Sequence, residues 1–414
     1  MDRSKSPHWS SIGQLALGLM ATAFLGVAAF GALAAGGFDL ISSNAGFGDL
    51  TSAFLLGIPL AACGFLMLPS IYYPLMRVLG KPGFDSVALL SKLKPGWWIL
   101  ALPFVIGLGH LVVTYNLLPW LLLPPLHILA NGIPTAWMLY LALRRLPIGS
   151  TQRFWGAFGS GISLAPFLIM LFEVLAGMGI IILFIVYLIT RPELAEKVMQ
   201  LAAQLQEANT QETMLHILKP VYSNPLVIAA VIVFGALIVP LIEESIKPIG
   251  AWLLIGRKVT PAAGFAAGAL SGAGYGFIES LLLSGRSASW AALVTARIGT
   301  TAVHIFTASL VGWALVQTWQ RRRFFRLALA YLGAVLIHGL WNGLTLAISL
   351  YALAQAEDFS LRLSSLSPLG IIAPIGIAML ALACFLGLII ANRYLRGKHA
   401  QPQPWSEQTG ESLP

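Results

Sequence analysis

Three ionisable side chains fall within five residues of an apolar stretch, Pro240-Leu-Ile-Glu243-Glu244-Ser-Ile-Lys247-Pro248. Further along, Glu279 follows Tyr275 by one helical turn, His304 follows Arg297 by two, and His338 and Asn342 stand at i, i+4, each set in its own apolar run. Charges at membrane depth are costly, so they point to function. A carboxylate beside an imidazole can activate water as a general base. A second imidazole or an amide can then stabilise the oxyanion that develops. Together these are the equipment of peptide-bond hydrolysis. Glu279, His304 and His338 also offer a second route: two imidazoles and one carboxylate form a catalytic zinc donor set with an open fourth position. Lys247, one turn beyond the paired glutamates, would hold one of them ionised. Which glutamate is the base stays open, and Asn342 could either orient His338 or act as interhelical glue. No serine or cysteine stands near a histidine in a nucleophilic arrangement, and the chain has neither a Gly-rich phosphate loop nor an HExxH motif. Covalent catalysis and nucleotide use are therefore disfavoured.

The elements that must position these groups are membrane helices. The 414 residues are 57% hydrophobic and 10% charged, with a mean hydropathy of +0.82, which argues against a soluble protein. Ten apolar runs of spanning length occur near 12–36, 52–76, 97–116, 119–142, 160–189, 226–254, 262–283, 290–318, 327–353 and 368–391. The expected fold is an all-α polytopic membrane protein of about ten transmembrane helices. Counted from the nearest basic marker or helix start, Glu244, Glu279, His304, His338 and Asn342 lie about 18–26 Å into their helices at 1.5 Å per residue. In a hydrocarbon core of about 30 Å they share one layer, at or somewhat outside the midplane. Gly272, Gly274 and Gly276, with Gly339 and Gly343, would let these helices approach closely.

Basic residues follow every second run: Arg77, Lys81, Lys92 and Lys94, then Arg144, Arg145 and Arg153, then Arg257 and Lys258, then Arg321, Arg322, Arg323 and Arg326, and finally Arg393, Arg396 and Lys398. The other exits are poor in basic residues, so both termini are expected in the cytoplasm. The lysines and arginines do not form a patch with interleaved aromatics, which argues against a nucleic-acid partner; the lipid bilayer is the expected surroundings. The N-terminal run, preceded by Arg3 and Lys5, is longer than a cleavable signal and reads as a retained anchor. Cys63 and Cys384 are isolated in apolar runs and read as packing or lipid-facing residues. Five regions result: an N-terminal membrane region at 1–190, an extracytoplasmic amphipathic connector at 191–224, a four-helix core at 225–353 carrying the polar groups, a C-terminal helix and flank at 354–398, and a disordered tail at 399–414. The connector reads as one amphipathic helix, either lying on the lipid or forming a lid.

The order Glu243-Glu244-x-x-Lys247, Gly276-Phe277-x-Glu279, Arg297 through His304 to Gly312, and His338-x-x-x-Asn342 resembles the PrsW family of intramembrane proteases. That family is related to the CAAX prenyl and bacteriocin-processing proteases. Their similar pattern carries a histidine where this chain has Glu279 and usually an arginine where it has Lys247. The resemblance covers about 226–350. It implies a membrane-embedded metalloprotease of a bacterial cytoplasmic membrane, acting on a membrane protein such as an anti-sigma factor. Its catalytic residues would be Glu243, Glu244, Glu279, His304 and His338, with Lys247 and Asn342 supporting. Two other classes use the same residue types: a non-catalytic scaffold subunit that assembles a partner enzyme, and an ion-coupled transporter. Against the transporter, no inverted repeat is apparent and the acidic groups lie in one half of the chain.

Overall fold

A computed structural model describes residues 9–41, 47–84, 86, 95–283, 289–356 and 368–400. Lys92 and Lys94 of the charge alternation and the tail residues 401–414 lie outside them. Every regular element among the described residues is helical. Among those residues, nine helices are long and apolar enough to cross a membrane: 9–38, 50–78, 96–114, 119–143, 151–189, 225–252, 290–321, 324–352 and 369–397. The chain is an all-α polytopic membrane protein. The tenth expected span does form a helix, at Pro261–Leu282, but it falls outside the nine. Its glycines, its serines and Glu279 dilute its apolar character, and neighbouring helices bury most of it.

The chain divides into two compact units, residues 1–166, 247–334 and 377–414 in the first and 167–246 and 335–376 in the second. The first unit contains α1 (Trp9–Ile41), α2 (Phe47–Val78), a 3-10 turn at Pro95–Ala101 leading into α3 (Leu102–Thr114), α4 (Pro119–Leu143) and α5 (Thr151–Ile162). α6 (Leu164–Ile189) leaves this unit after Pro166. The second unit continues with α7 (Pro192–Glu207), α8 (Gln211–Tyr222), α9 (Pro225–Val233), a π-helical turn at Phe234–Ile238 and α10 (Val239–Ile246). The chain then returns to the first unit with the short α11 (Ile249–Trp252), α12 (Pro261–Leu282) and α13 (Trp290–Arg321). α14 (Phe324–Ala356) and α15 (Leu369–Ala400) each contribute to both units.

Within the first unit, packing centres on α12. Thr260 caps it by accepting a hydrogen bond from the Ala263 amide, and Pro261 fills its first position, where no amide is needed. Such a Gly-rich segment has poor helix propensity, so close packing must hold it. Gly264, Gly268, Gly272 and Gly276 recur every fourth residue and form one stripe facing α13. A Cβ on Gly264 would strike the Gly312 carbonyl, one on Gly268 that of Ala308, and one on Gly272 that of His304. Backbone therefore meets backbone along this seam, where burial in lipid supplies no hydrophobic force and dispersion over short distances must serve instead. On another face of α12, Gly274 abuts the Phe158 carbonyl of α5. Leu25, Leu60, Cys63, Met67, Ile162 and Phe277 complete this core, and both cysteines are buried.

The connector differs from its expectation. It consists of two helices, α7 and α8, separated at Ala208–Thr210, where Thr210 caps α8 by accepting from the Thr213 amide. The Thr210 side chain competes successfully for the backbone and restarts the helix in a new direction.

Candidate active site

The polar residues form one set in each unit. In the second unit the set begins with Pro240. Having no amide hydrogen, it cannot bond the Ala236 carbonyl in α-helical fashion. The helix widens just before it, and the Val239 amide bonds back five residues to the Phe234 carbonyl. Such π turns re-aim the residues beyond them. Two features of α14 stabilise the widened turn. Asn342 Nδ2 donates to the Gly235 carbonyl at 2.9 Å, and Gly339 places its Cα hard against the Ala236 carbonyl. Asn342 is therefore interhelical glue on the π turn.

Past the turn, α10 carries Glu243 and Glu244, both buried. Glu244 Oε1 lies 3.0 Å from His338 Nδ1. A carboxylate accepts, so this ring nitrogen carries the proton when the imidazole is neutral, and the lone pair is then on Nε2. Glu243 Oε2 stands 3.9 Å from that Nε2, too far for a hydrogen bond. Glu244 thus orients the ring, and Glu243 stands beside its other nitrogen.

The first unit holds Lys247, Tyr275, Glu279, Ser280, Arg297 and His304. His304 is 1% exposed and both its ring nitrogens are engaged. Lys247 Nζ lies 2.8 Å from Nδ1, and Glu279 Oε2 lies 2.6 Å from Nε2. An ammonium only donates and a carboxylate only accepts, so Nδ1 is the acceptor and Nε2–H the donor. Arg297 approaches the same Glu279 oxygen at 2.8 Å and gives its Nε–H to Ser280 Oγ at 3.0 Å. Ser280 in turn donates to the Gly276 carbonyl. The Tyr275 ring stands edge-on to the imidazole, with Lys247 Nζ 5.5 Å from its centroid. Gly276 makes room for the histidine: a Cβ there would sit 3.2 Å from the ring. The glycine stripe thus allows Glu279 and His304 to meet across the α12–α13 seam.

The sequence did not indicate two of these partnerships. Lys247 hydrogen-bonds His304 on α13. Ser280 carried no signal of its own beyond its place next to Glu279. Arg297 could have been matched to Glu279, because a guanidinium at depth needs a carboxylate. His127 is a structural pin, with Nε2 3.3 Å from the Leu281 carbonyl and Nδ1 3.3 Å from the Trp290 indole nitrogen.

Within the second unit, Glu243 and His338 bring together a buried carboxylate and an imidazole, the kind of pair that can hold a metal ion. The second-unit geometry fits this use, since a metal-binding histidine usually gives its other nitrogen's proton to a carboxylate, as His338 does to Glu244. Two ligands at tetrahedral zinc distances stand roughly 3.4 Å apart, close to the spacing of Glu243 and His338. Glu279, expected among the ligands, is bound by Arg297 and His304.

Among known proteins, the family model described as PrsW family intramembrane metalloprotease matches residues 155–362. The match extends beyond the motif-bearing stretch at 226–350 and takes in most of α5, with α6, α7 and α8. No curated protein and no solved structure matches the chain.

Proposed function

The chain belongs to the PrsW family of intramembrane metalloproteases, whose model covers half its length, and from this premise we propose how its residues divide the work of cutting a membrane-protein substrate. Glu243 and His338 handle the attacking water, and His304 with Lys247 handles the carbonyl oxygen. Glu243 and His338 would hold the family's metal ion, with His304 as a ligand expected from the sequence. When bound, that ion supplies Lewis-acid polarisation and a lowered water pKa.

Glu243 takes the proton from the attacking water through the carboxylate oxygen that a metal would leave, and His338, as a ligand through Nε2, fixes where that water stands. Glu244 is a positioning residue, because it reaches the site only through the His338 ring it orients. Lys247 brings a buried positive charge beside His304, where it would stabilise a developing oxyanion. Glu279 and Arg297 keep the His304 ring in place and its Nε2 protonated in the absence of metal. A metal ion held through Nδ1 would compete with Lys247 for that nitrogen.

The observation that carries this reading is the arrangement around His338: one nitrogen held by Glu244 at 3.0 Å, the other facing Glu243 at 3.9 Å. Zinc suits the donors. The charge alternation supports cytoplasmic termini in a bacterial plasma membrane and a cut toward the outer leaflet, which suits a single-span regulator such as an anti-sigma factor. The test is a cleavage time course in native membranes with Glu243→Gln, His304→Ala and His338→Ala, alongside metal analysis of the purified chain. Undiminished cleavage by Glu243→Gln would overturn the assignment. Full activity with no bound metal would leave a metal-free route through glutamate and histidine.

A further inference from the structure

A cavity of about 340 Å³ opens in the first unit, with none of that unit's polar set in its lining, and α1, α2, α5 and the segment around α11 line it. Its volume is in the range of small-molecule sites. Arg77, Arg153 and Arg257 contribute to the lining, and none of the lining residues is acidic. The three guanidiniums come from three separate elements.

Their surroundings hold two of them in place without neutralising them. Arg77 donates to Gln152 Oε1 at 3.3 Å. The Gln152 amide nitrogen donates in turn to Ser11 Oγ and Gln14 Oε1, both at 3.0 Å. These partners are uncharged, so Arg77 keeps its positive charge unpaired by them. Arg153 lies against Gly149, which has φ +87°, and a Cβ there would meet the guanidinium at 3.0 Å. Glycine therefore serves both the turn and the room for Arg153.

The lining also has a direction. On α1 it passes from Gln14 to Leu17, on α2 from Arg77 to Met67, and on α5 from Arg153 to Gly159. Ten residues of α2 amount to about 15 Å of helix. The lining thus runs from Gln14 and the arginines toward Leu17 and Met67, with the Ser70, Ser160 and Ser163 hydroxyls along it, a profile that can take an amphiphile with an anionic head.

We propose that this cavity binds a phosphate-bearing anionic ligand, with its phosphate among Arg77, Arg153 and Arg257. An anionic phospholipid lying along the apolar wall is one source of that phosphate, and free phosphate the other. Guanidinium forks match phosphate oxygens in geometry as well as charge. Basic residues at the membrane boundary attract anionic lipid at roughly five-fold in affinity each.

The experiment uses the full chain in neutral detergent, titrated with dioctanoyl phosphatidylglycerol, dioctanoyl phosphatidylcholine or inorganic phosphate. Native mass spectrometry reads adducts and thermal unfolding reads affinity. The expected result is saturable one-to-one binding of phosphatidylglycerol, weakened roughly five-fold by Arg77→Gln, Arg153→Gln or Arg257→Gln. The matching lysine variants should retain most of the binding and show that the fold survives substitution. If millimolar phosphate leaves lipid binding intact, the source is the lipid. If phosphate alone stabilises the chain and displaces the lipid, the source is the free anion. Equal binding of phosphatidylcholine, or undiminished binding in all three glutamine variants, would overturn the proposal.

Discussion

Lys247 Nζ lies 2.8 Å from His304 Nδ1, and both side chains are buried. The ammonium therefore occupies the one ring nitrogen of His304 that Glu279 leaves available. A buried cation beside a candidate metal ligand would compete with a metal ion for the ring's lone pair.

Lys247→Met keeps the side chain's length and removes its charge. Loss of the donor leaves Nδ1 unsatisfied, at a cost of about 1–3 kcal/mol. Zinc should bind the variant at least as tightly as the parent, because nothing competes for Nδ1. Cleavage should fall by about a hundred-fold or more, because the oxyanion loses its charge partner. Zinc titration paired with a cleavage time course checks both outcomes, and weaker zinc binding would mean Lys247 supports the metal.

The paired glutamates should separate by role. Glu243→Gln removes the proton acceptor and should lower cleavage by about 10²–10⁴-fold. Glu244→Gln can still accept from His338 Nδ1 through its amide oxygen, so the ring stays oriented. A loss of roughly 10–100-fold in metal affinity or activity is expected there, as for other supporting ligands of metal-binding histidines. Equal, complete loss in both variants would argue against Glu244 acting only through His338.

The Arg297–Glu279 pair offers a double-mutant cycle with Ser280. Arg297→Lys cannot serve Glu279 and Ser280 at once from a single ammonium. Glu279 keeps 28% of its side chain exposed, so water softens the loss and about 1–3 kcal/mol of destabilisation is expected. Ser280→Ala should cost about 1 kcal/mol. The double variant should lose less than the sum, since both singles remove the same Nε–H bond. Thermal unfolding in detergent measures all three.

Much of this was legible in the sequence, for identifiable reasons. Glu243, Glu244, Glu279, His304 and His338 stood out because a charged or imidazole group in an apolar run is costly, and that cost does not depend on the fold. The helices stood out because 20 apolar residues leave the backbone few alternatives in lipid. α12 was legible as a helix by its apolar run, yet it packs through glycines that weaken that same signal. Pairings were harder to see. Lys247 bonds His304, a residue 57 positions away, which spacing along one helix cannot show. The π turn at 234–238 was invisible, because one extra residue in a turn changes neither composition nor the length of the apolar run.

The glycine stripe of α12 can be tested at Gly272, whose Cβ would collide with the His304 carbonyl. The obstacle is backbone, so no side-chain rotation relieves it. Gly272→Val should force α12 and α13 apart and cost at least the roughly 1–3 kcal/mol typical of overpacking. Gly177→Val, on α6 where a Cβ would meet nothing within 4 Å, is the matched control and should be nearly neutral. The two melting temperatures, measured in the same detergent, make the comparison.

Pro240 bears on the direction of Glu243 and Glu244 through the π turn, so under the proposed roles stability and activity should part at this residue. Pro240→Ala restores an amide hydrogen that can bond the Ala236 carbonyl and let the turn close to α-helical geometry. Loss of one residue of offset rotates the rest of α10 by about 100°. Glu243 and Glu244 would then point away from His338, and the Asn342 bond to Gly235 would be strained. The backbone gains a hydrogen bond while the side-chain contacts are lost, so the melting temperature should change little. Cleavage should drop by about a hundred-fold or more, in line with the sensitivity of catalysis to small misplacements. If activity and melting temperature fall together, Pro240 serves the fold and not the aim of the glutamates; if neither changes, the π turn forms without it.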